Sequence, residues 1–306
     1  MILSNRSLLN KADLALADLT MDGGLLEPEQ ANRFIRLLIK KSALMQMVTT
    51  MTMRSPKRLL ETLRFNGRVL KPGVEAAALP VADRSKPDLT KRELDAKLYK
   101  AEVRLNNEVL EDNIERQALR NTIMQSLAEA VSRDLDFSLI NGDTGSANAL
   151  LAVQDGVRKL VTNTFDHTNN PTNTDLWSGM IRALPSEALL RDRIKFLTSI
   201  RSGIDWRASL EPRDTALGDQ QVTENRLRGY QGVGIEEIPE WDETGDAVEP
   251  VLTDPKNIVV GFVRRMRIET DKDVSAGEMI IVVSMRVAFQ LAHPPFAAKG
   301  INVDLL

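Results

Sequence analysis

The chain has 306 residues, 42% of them hydrophobic, no cysteine, and a formal charge of -3 from 40 basic and 43 acidic side chains. That length exceeds one typical domain and predicts two linked cores, while the apolar content excludes wholesale disorder. The lack of cysteine removes disulfides, thiolate nucleophiles and cysteine–zinc sites and fits a reducing cytoplasm, and the interspersed, near-neutral charge argues against nucleic-acid binding as the main task, which needs clustered cations to displace counterions.

The N-terminal "MILSNRSLLNKADLALADL" is broken by charge every few residues, unlike a signal peptide. The apolar run "MIIVV" from Met279 falls far short of the ~20 residues that span a bilayer, so a soluble protein is expected. Leu8, Ala12, Leu16 and Leu19 share one face of a predicted helix. Gly23 and Gly24 break it, and "EPEQANRFIRLLIKKSALMQMV" restarts a helix with Pro28 at its first turn. Phe34, Leu37, Leu38 and Ile39 of that helix are core or docking residues, so the opening segment reads as an arm whose apolar stripes need a surface.

From Met53 to Leu94 the texture changes. Asn66–Gly67 is a turn-favouring pair between apolar residues, and Pro72, Pro80 and Pro87 follow among alternating charges. The stretch has too few large apolar residues for its own core, and an isolated two-stranded hairpin is marginal in water. A projecting hairpin of this kind lies against another surface. In "LDAKLYKAEVRL", Leu94, Ala96 and Leu98 alternate with polar residues, then Ala101, Val103 and Leu105 continue in the other phase. This predicts a half-buried strand with a bulge at Tyr99–Lys100.

A long helix is predicted next, over about 111–140, roughly 45 Å at 1.5 Å per residue. Ile123, Leu127, Val131, Leu135 and Leu139 recur every four residues, and no glycine or proline falls between Pro87 and Gly142. "NGDTG" supplies the stop signals. The middle, roughly Asn163 to Asp254, reads as short helices and loops, with helices in "TDLWSGMIRALP" and "SEALLRDRIKFLTSI", and strand and turns in "YQGVGIEEIPEW". The clearest strands come last, "NIVVGFVRRMRIETD" and "EMIIVVSMRVAFQLAH", an expected long antiparallel pair packed on the long helix.

Chemistry is sparse. Asp143–Thr144–Gly145 matches the short aspartic-protease signature, but that catalysis needs two such carboxylates in an apolar strand–turn setting, and this one follows a helix end. His167 and His293 are the two histidines, with no Gly-x-Ser-x-Gly elbow to supply a nucleophile. "GYQGVG" lacks the dinucleotide spacing. Asp242, Glu243, Asp246 and Glu249 lack calcium-loop spacing, and Arg264, Arg265 and Arg267 read as a charged strand face. No catalytic residue, cofactor or metal site is predicted, and the features that remain serve contacts.

"SMRVAFQLAHPPFAAKGINV" resembles the closing strands of tailed-phage major capsid proteins of the Hong Kong 97 fold. "GGLLEPEQANRFI" is similar to that family's N-terminal arm, "LRFNGRVLKPG…KPDLTKRE" to its E-loop, "KLYKAEVRLNNEVLED" to the strand before its spine helix, "AVSRDLDFSLINGDTGS" to that helix's end, and "YQGVGIEEIP" to part of its axial domain. The resemblance covers almost the whole chain as diffuse patterns. It implies an α+β fold with an arm over 1–52, an E-loop hairpin over 53–93, a peripheral domain over 94–162 whose spine helix packs on a long antiparallel sheet, a mixed α/β axial domain over 163–257, and closing peripheral strands with the C-terminal segment over 258–306.

It further implies hexamers and pentamers of identical subunits closing an icosahedral shell around double-stranded DNA, which is contacted only weakly. Portal, scaffolding and cement proteins are implied partners, no membrane is involved, and the virion, assembled in the host bacterial cytoplasm, is the implied location. Phe34, Leu37, Leu38, Leu63, Phe65, Asn66, Gly67 and Lys71 are then the expected assembly contacts, with Ile123, Leu127, Val131 and Leu135 in the spine. The arm follows within about 20 residues of Met1, so scaffolding is expected from a separate or previously removed segment. Some relatives cross-link through an E-loop lysine, an asparagine and a glutamate. Lys71, Lys86 and Lys91 could donate, but the strand from Met279 to Leu291 holds neither asparagine nor glutamate, so a non-covalent shell is expected. A nanocompartment shell of the same fold remains an alternative, as does a phage enzyme or DNA-binding factor.

Overall fold

Short apolar stretches become strands and one long amphipathic stretch becomes a helix in the computed structural model, which describes residues 42, 44–65, 67–73, 75, 77–106, 116–210, 229–241, 248–263, 267–273 and 275–304. The chain runs through β1 (Thr49–Met53), β2 (Lys57–Phe65), β3 (Pro87–Asp95) and β4 (Lys97–Asn106) to the helix α1 (Arg116–Asn141), then α2 (Val157–Leu160), β5 (Asn163–Pro171) and α3 (Thr174–Ala183). It continues with β6 (Lys195–Thr198), α4 (Ile200–Ala208), β7 (Gly229–Tyr230), β8 (Val233–Glu237) and β9 (Val251–Thr253), and ends with β10 (Ile258–Val263), β11 (Arg267–Asp273), β12 (Glu278–Leu291) and β13 (Ala297–Asp304). The expected α+β class is what forms. Most of the predicted arm helices and residues 111–115 of the predicted long helix lie outside the described residues. The described end of the second arm helix is corrected, since Leu44–Met47 form a turn there rather than a helix and Leu44, Met45 and Val48 are buried in the first core.

β12 organises the first sheet. β11 pairs along Glu278–Ser284 on one edge, β4 pairs along Glu278–Val287 on the other, and β10 pairs with Val287–Leu291, with β1 parallel to β10 beyond. The four-residue recurrence of α1 finds its partner here. Leu127, Val131, Leu135 and Leu139 are buried, and Ile123 partly so, in one core with Tyr99, Val103, Ile281, Val283, Met285 and Val287. A second side of the helix is also covered, since Ser132 and Asp136 are buried. Ser42 donates to both Asp136 carboxylate oxygens, at 2.6 and 2.7 Å, fastening the chain before β1 to the helix.

Buried polar groups on this contact are paired, as they must be. The Tyr99 hydroxyl and Ser138 Oγ lie 2.9 Å apart, Gln154 Nε2 donates to Tyr99 Oη at 2.9 Å, and Phe289 N donates to Gln154 Oε1 at 3.3 Å. Burial pushes the Tyr99 phenol up from its ordinary value, partly opposed by the hydrogen bonds to Ser138 and Gln154. At the helix end Gly142 is required by space, because a Cβ there would stand 2.3 Å from the Gln154 carbonyl oxygen.

The second sheet has the order β5-β13-β9-β6-β8-β7. Its core gathers Trp177, Phe196, Trp206 and Leu252, with the Trp177 and Phe196 ring centroids 4.6 Å apart. α3 is capped by Asn173, whose Oδ1 accepts from Asp175 N and Leu176 N, and it ends before Pro185 as predicted. The two bodies share part of the first core through Leu197, Val251 and Ala297, with a polar joint beside it. Arg158 donates to Asn141 Oδ1 at 2.7 Å and to Glu249 Oε2 at 3.3 Å, and Lys299 Nζ donates to the same Glu249 oxygen at 3.2 Å.

Several expectations are corrected. The phase slip falls at Ala96, between β3 and β4, and the β4–β12 register is unbroken from Lys97 to Asn106. Tyr99 therefore faces the core and Leu98 faces out, because Tyr99 has buried partners for its hydroxyl. "SEALLRDRIKFLTSI" is a short 3-10 turn (Ser186–Ala188) and the strand β6, not a helix. Ile194, Phe196, Leu197 and Thr198 are all buried, and a short apolar run covered on both faces carries no period that separates strand from helix. The helix begins instead at Ile200, with Ser199 accepting from Ser202 N at 2.9 Å. The middle of the chain thus combines short helices with more strand than its residues suggested, its sheet running β5-β13-β9-β6-β8-β7. "NIVVGFVRRMRIETD" forms two strands, β10 and β11, with residues 264–266 outside the described set. In the C-terminal segment, β13 lies parallel to β5 and antiparallel to β9 in the second sheet.

Candidate assembly surfaces

The hairpin of β2 and β3 pairs from Lys57↔Asp95 to Phe65↔Pro87 without a slip. Directly opposed residues share a face, so the register sorts the hairpin into two sides. One side carries Arg58, Leu60, Thr62 and Arg64 opposite Leu94, Arg92, Thr90 and Asp88. At its base Leu94 is fully buried with Met53, Ala96, Val259, Val263 and Ala288, and Leu60 packs beside them. Gln290 Nε2 also donates to the Glu93 carbonyl at 3.3 Å.

The other side faces water. Near the base it carries the cross-strand ion pairs Lys57–Glu93 and Lys91–Glu61, at 2.7 and 3.0 Å. Leu59, 56% exposed, stands among these pairs opposite Glu93, and farther out the side turns apolar, with Leu63, Phe65 and Leu89 exposed by 60, 46 and 49% and Leu63 directly opposite Leu89. The tip adds Val69, Leu70, Leu79 and Val81, all exposed. Scattered surface leucines are ordinary, but a contiguous apolar row on a projecting element marks an interaction site.

Of the residues singled out from sequence, Leu63, Phe65, Gly67 and Lys71 fall together on this outer half, and all four are exposed. Asn66, Phe34, Leu37 and Leu38 lie outside the described residues. The hairpin is not closed by a tight two-residue turn. Gly67 adopts φ +81° where the chain leaves β2, and β3 begins only at Pro87. Ile123, Leu127, Val131 and Leu135 belong to the core and act as the support of the surface. Sequence reading missed Leu59, whose period-two spacing with Leu63 was available, and Leu89, which only the cross-strand register reveals. It also missed Ile200 and Ile204, exposed one helical turn apart on α4, because the preceding stretch was read as a helix ending there.

The motifs weighed for chemistry resolve into structure. Asp143 Oδ1 accepts from Gly145 N at 2.9 Å, and Thr144 donates through both N and Oγ1 to Asp155 Oδ1, which makes a turn after α1. The Gly145 N–H and Lys159 hold the Asp143 carboxyl below its usual range. His167 is buried in β5, its Nε2 3.0 Å from the Pro171 carbonyl oxygen. In "GYQGVG", Gln231 and Gly232 both take positive φ as the two-residue turn between β7 and β8. Asp242, Glu243, Asp246, Arg264 and Arg265 lie outside the described residues. Among the described residues no group of three or more His, Asp or Glu side chains is placed to hold a metal ion, and no helix is long and apolar enough to cross a membrane.

Residues 22–301 match the model of the phage capsid family. The chain is 32% identical over 309 residues to YqbE of Bacillus subtilis (strain 168), named as a candidate prophage capsid protein, covering 98% of this chain and 99% of that one. Among solved structures, the satellite phage P4 procapsid including size determination (Sid) protein superposes with a TM-score of 0.70 at 10% identity, over 99% of this chain and 98% of that chain. The capsid of an empty GTA particle gives a TM-score of 0.61 at 12% identity, over 86% of this chain and 90% of that chain.

Proposed function

The chain belongs to the phage capsid family, and from that premise we propose that it is a major capsid protein whose identical subunits form hexamers and pentamers of an icosahedral shell around double-stranded DNA. The observation that carries the reading is the contrast within the chain between a well-filled body and a hairpin whose outer half presents an apolar row to water. Burying such a row against a neighbour is favourable by roughly 25 cal/mol per Å² of apolar surface. Interfaces of on the order of 2,000 Å² or more are stable without covalent chemistry.

In this reading the first sheet with α1 is the peripheral domain, the second sheet with α3 and α4 is the axial domain, and the hairpin is the E-loop that lies over the next subunit. β13 returns to the axial sheet, so the two domains are joined by more than one strand of chain. The N-terminal arm reaches along another subunit, and portal, scaffolding and cement proteins would complete the particle in the host cytoplasm. Lys71, Lys86 and Lys91 have no acceptor on β12, so the shell is held by non-covalent contacts.

Negative-stain microscopy of the expressed protein tests this directly. Closed shells or capsomers are expected, with DNA rather than enzyme as native cargo. A strictly monomeric protein at high concentration would overturn the reading, and protein cargo in place of DNA would redirect it to a nanocompartment. Boiling particles in detergent should release one monomer band, whereas a ladder of covalent multimers would refute the non-covalent shell.

A further inference from the structure

The inner side of the hairpin is basic where the outer side is apolar. Arg58, Arg64 and Arg92 all stand there by register, and the hairpin reaches back to its own subunit through Arg64. That guanidinium pairs with Glu187, in the turn after α3, and lies over the Phe296 ring at 4.7 Å from its centroid. His293 lies against the same ring, with centroids 5.4 Å apart and the planes inclined by 33°. The backbone of His293 is pinned on both sides, its N donating to Asn257 Oδ1 at 2.7 Å and its carbonyl accepting from Asn257 Nδ2 at 2.9 Å. Arg92 Nε is buried without a hydrogen-bond partner.

We propose that Arg64, Glu187, Phe296 and His293 form an intramolecular latch, which holds the hairpin down on its own subunit while His293 is neutral and frees the outer half when His293 takes a proton. The charged groups facing His293 are Arg64 from β2 and Arg92 from β3, with Glu187 beside them and Asp88 across the hairpin from Arg64. A proton on His293 adds a third cation to two guanidiniums that share one small area. If Glu187 turns toward the new imidazolium, it leaves Arg64. Both responses weaken the same contact, and because Arg64 and Glu187 are partly exposed the pair is weak enough for one added charge to tip it.

The sign follows from linkage. Burial first, then Arg64 and Arg92, hold the His293 imidazole below its ordinary value. Lifting the hairpin uncovers the ring and removes both arginines, so the released form titrates near the ordinary value of about 6.5. Docking is at full strength above that value and is lost as the pH falls through it toward the depressed one. Use of the freed hairpin to re-seat on a neighbour rests on the capsid reading, but the latch itself does not.

The test is an intramolecular distance. The chain has no cysteine, so Leu70→Cys at the tip and Leu190→Cys on the body, 93% and 54% exposed, can be spin-labelled without background. The labelled full-length chain is diluted into unlabelled chain, and pulsed dipolar spectroscopy is recorded at about pH 8 and about pH 5.5, on either side of the imidazole range. A single narrow distance is expected at the higher pH, and a second, broader population that grows as the pH is lowered. R64A and E187Q should be broad at both pH values. H293N should stay narrow at both, and H293F provides a second non-titrating ring that still stacks on Phe296. The latch is overturned if R64A and E187Q leave the distance unchanged, if pH does nothing to the parent, or if the pH response survives in both His293 variants. Microscopy separates the two claims. Normal particles with an unresponsive hairpin reject the latch alone, and a responsive hairpin in a chain that never assembles rejects the capsid reading alone.

Discussion

Helix α1 and the hairpin of β2 and β3 both carry rows of leucine at regular spacing, and the structure treats the rows in opposite ways. Leu127, Leu135 and Leu139 are buried against the first sheet of the same chain, whereas Leu59, Leu63 and Leu89 stand in water. The helix lies on a sheet whose central strand is paired on both edges, so its apolar stripe has a partner within the subunit. Among the described residues the hairpin has two strands and no layer over its exposed side, and a two-stranded element can bury only one of its sides, here the base at Leu94. The lesson is that the same hydrophobic periodicity serves stability in one place and association in another, according to whether a second layer is present.

Deleting residues 63–82 should sharpen this contrast most. Closed shells should be lost entirely while the isolated subunit keeps its urea midpoint, and normal particles from the deletion would break the comparison. Next, Leu135→Ala should lower the unfolding free energy of the subunit by about 2–5 kcal/mol, through lost burial and the cavity left behind. Urea denaturation measures this, and a near-zero change would mean that the helix does not depend on its sheet. Tyr99→Phe should cost about 1–3 kcal/mol in the same assay, because Ser138 and Gln154 lose a buried partner. The smallest change in subunit stability belongs to Leu63→Ala, within about 0.5 kcal/mol. That substitution should nevertheless raise the protein concentration needed for assembly, followed by light scattering. If it destabilised the subunit as Leu135→Ala does, the distinction drawn here would fail.

Much of the architecture was legible. Ile123, Leu127, Val131, Leu135 and Leu139 announced the helix, since a four-residue recurrence over that length has no other economical reading. "YQGVGIEEIPEW" announced a strand and turns, because Gln231–Gly232 is a pair that tolerates positive φ. Pro185 marked the end of α3, whereas the cap at Asn173 emerged only from the structure. The failures have physical causes. "KFLT" is buried on both faces, and such a run lacks the alternation that distinguishes strand from helix. Leu98 and Tyr99 are both apolar enough to face inward, and the choice fell to Tyr99 because Ser138 and Gln154 stand where its hydroxyl ends. Leu89 could not be seen as part of the apolar row until the register set it opposite Leu63.

By itself the sequence determined the helix and the hairpin with its scarcity of core residues, because periodicity, glycine and proline act over a few residues, while the α+β class was what the resemblance implied. Only the tertiary structure decided that β13 returns to the second sheet, that Arg64 reaches Glu187 and Phe296, and which leucines are left in water. Those outcomes depend on which distant segments meet, and a side chain's burial is a property of what covers it rather than of its place in the chain.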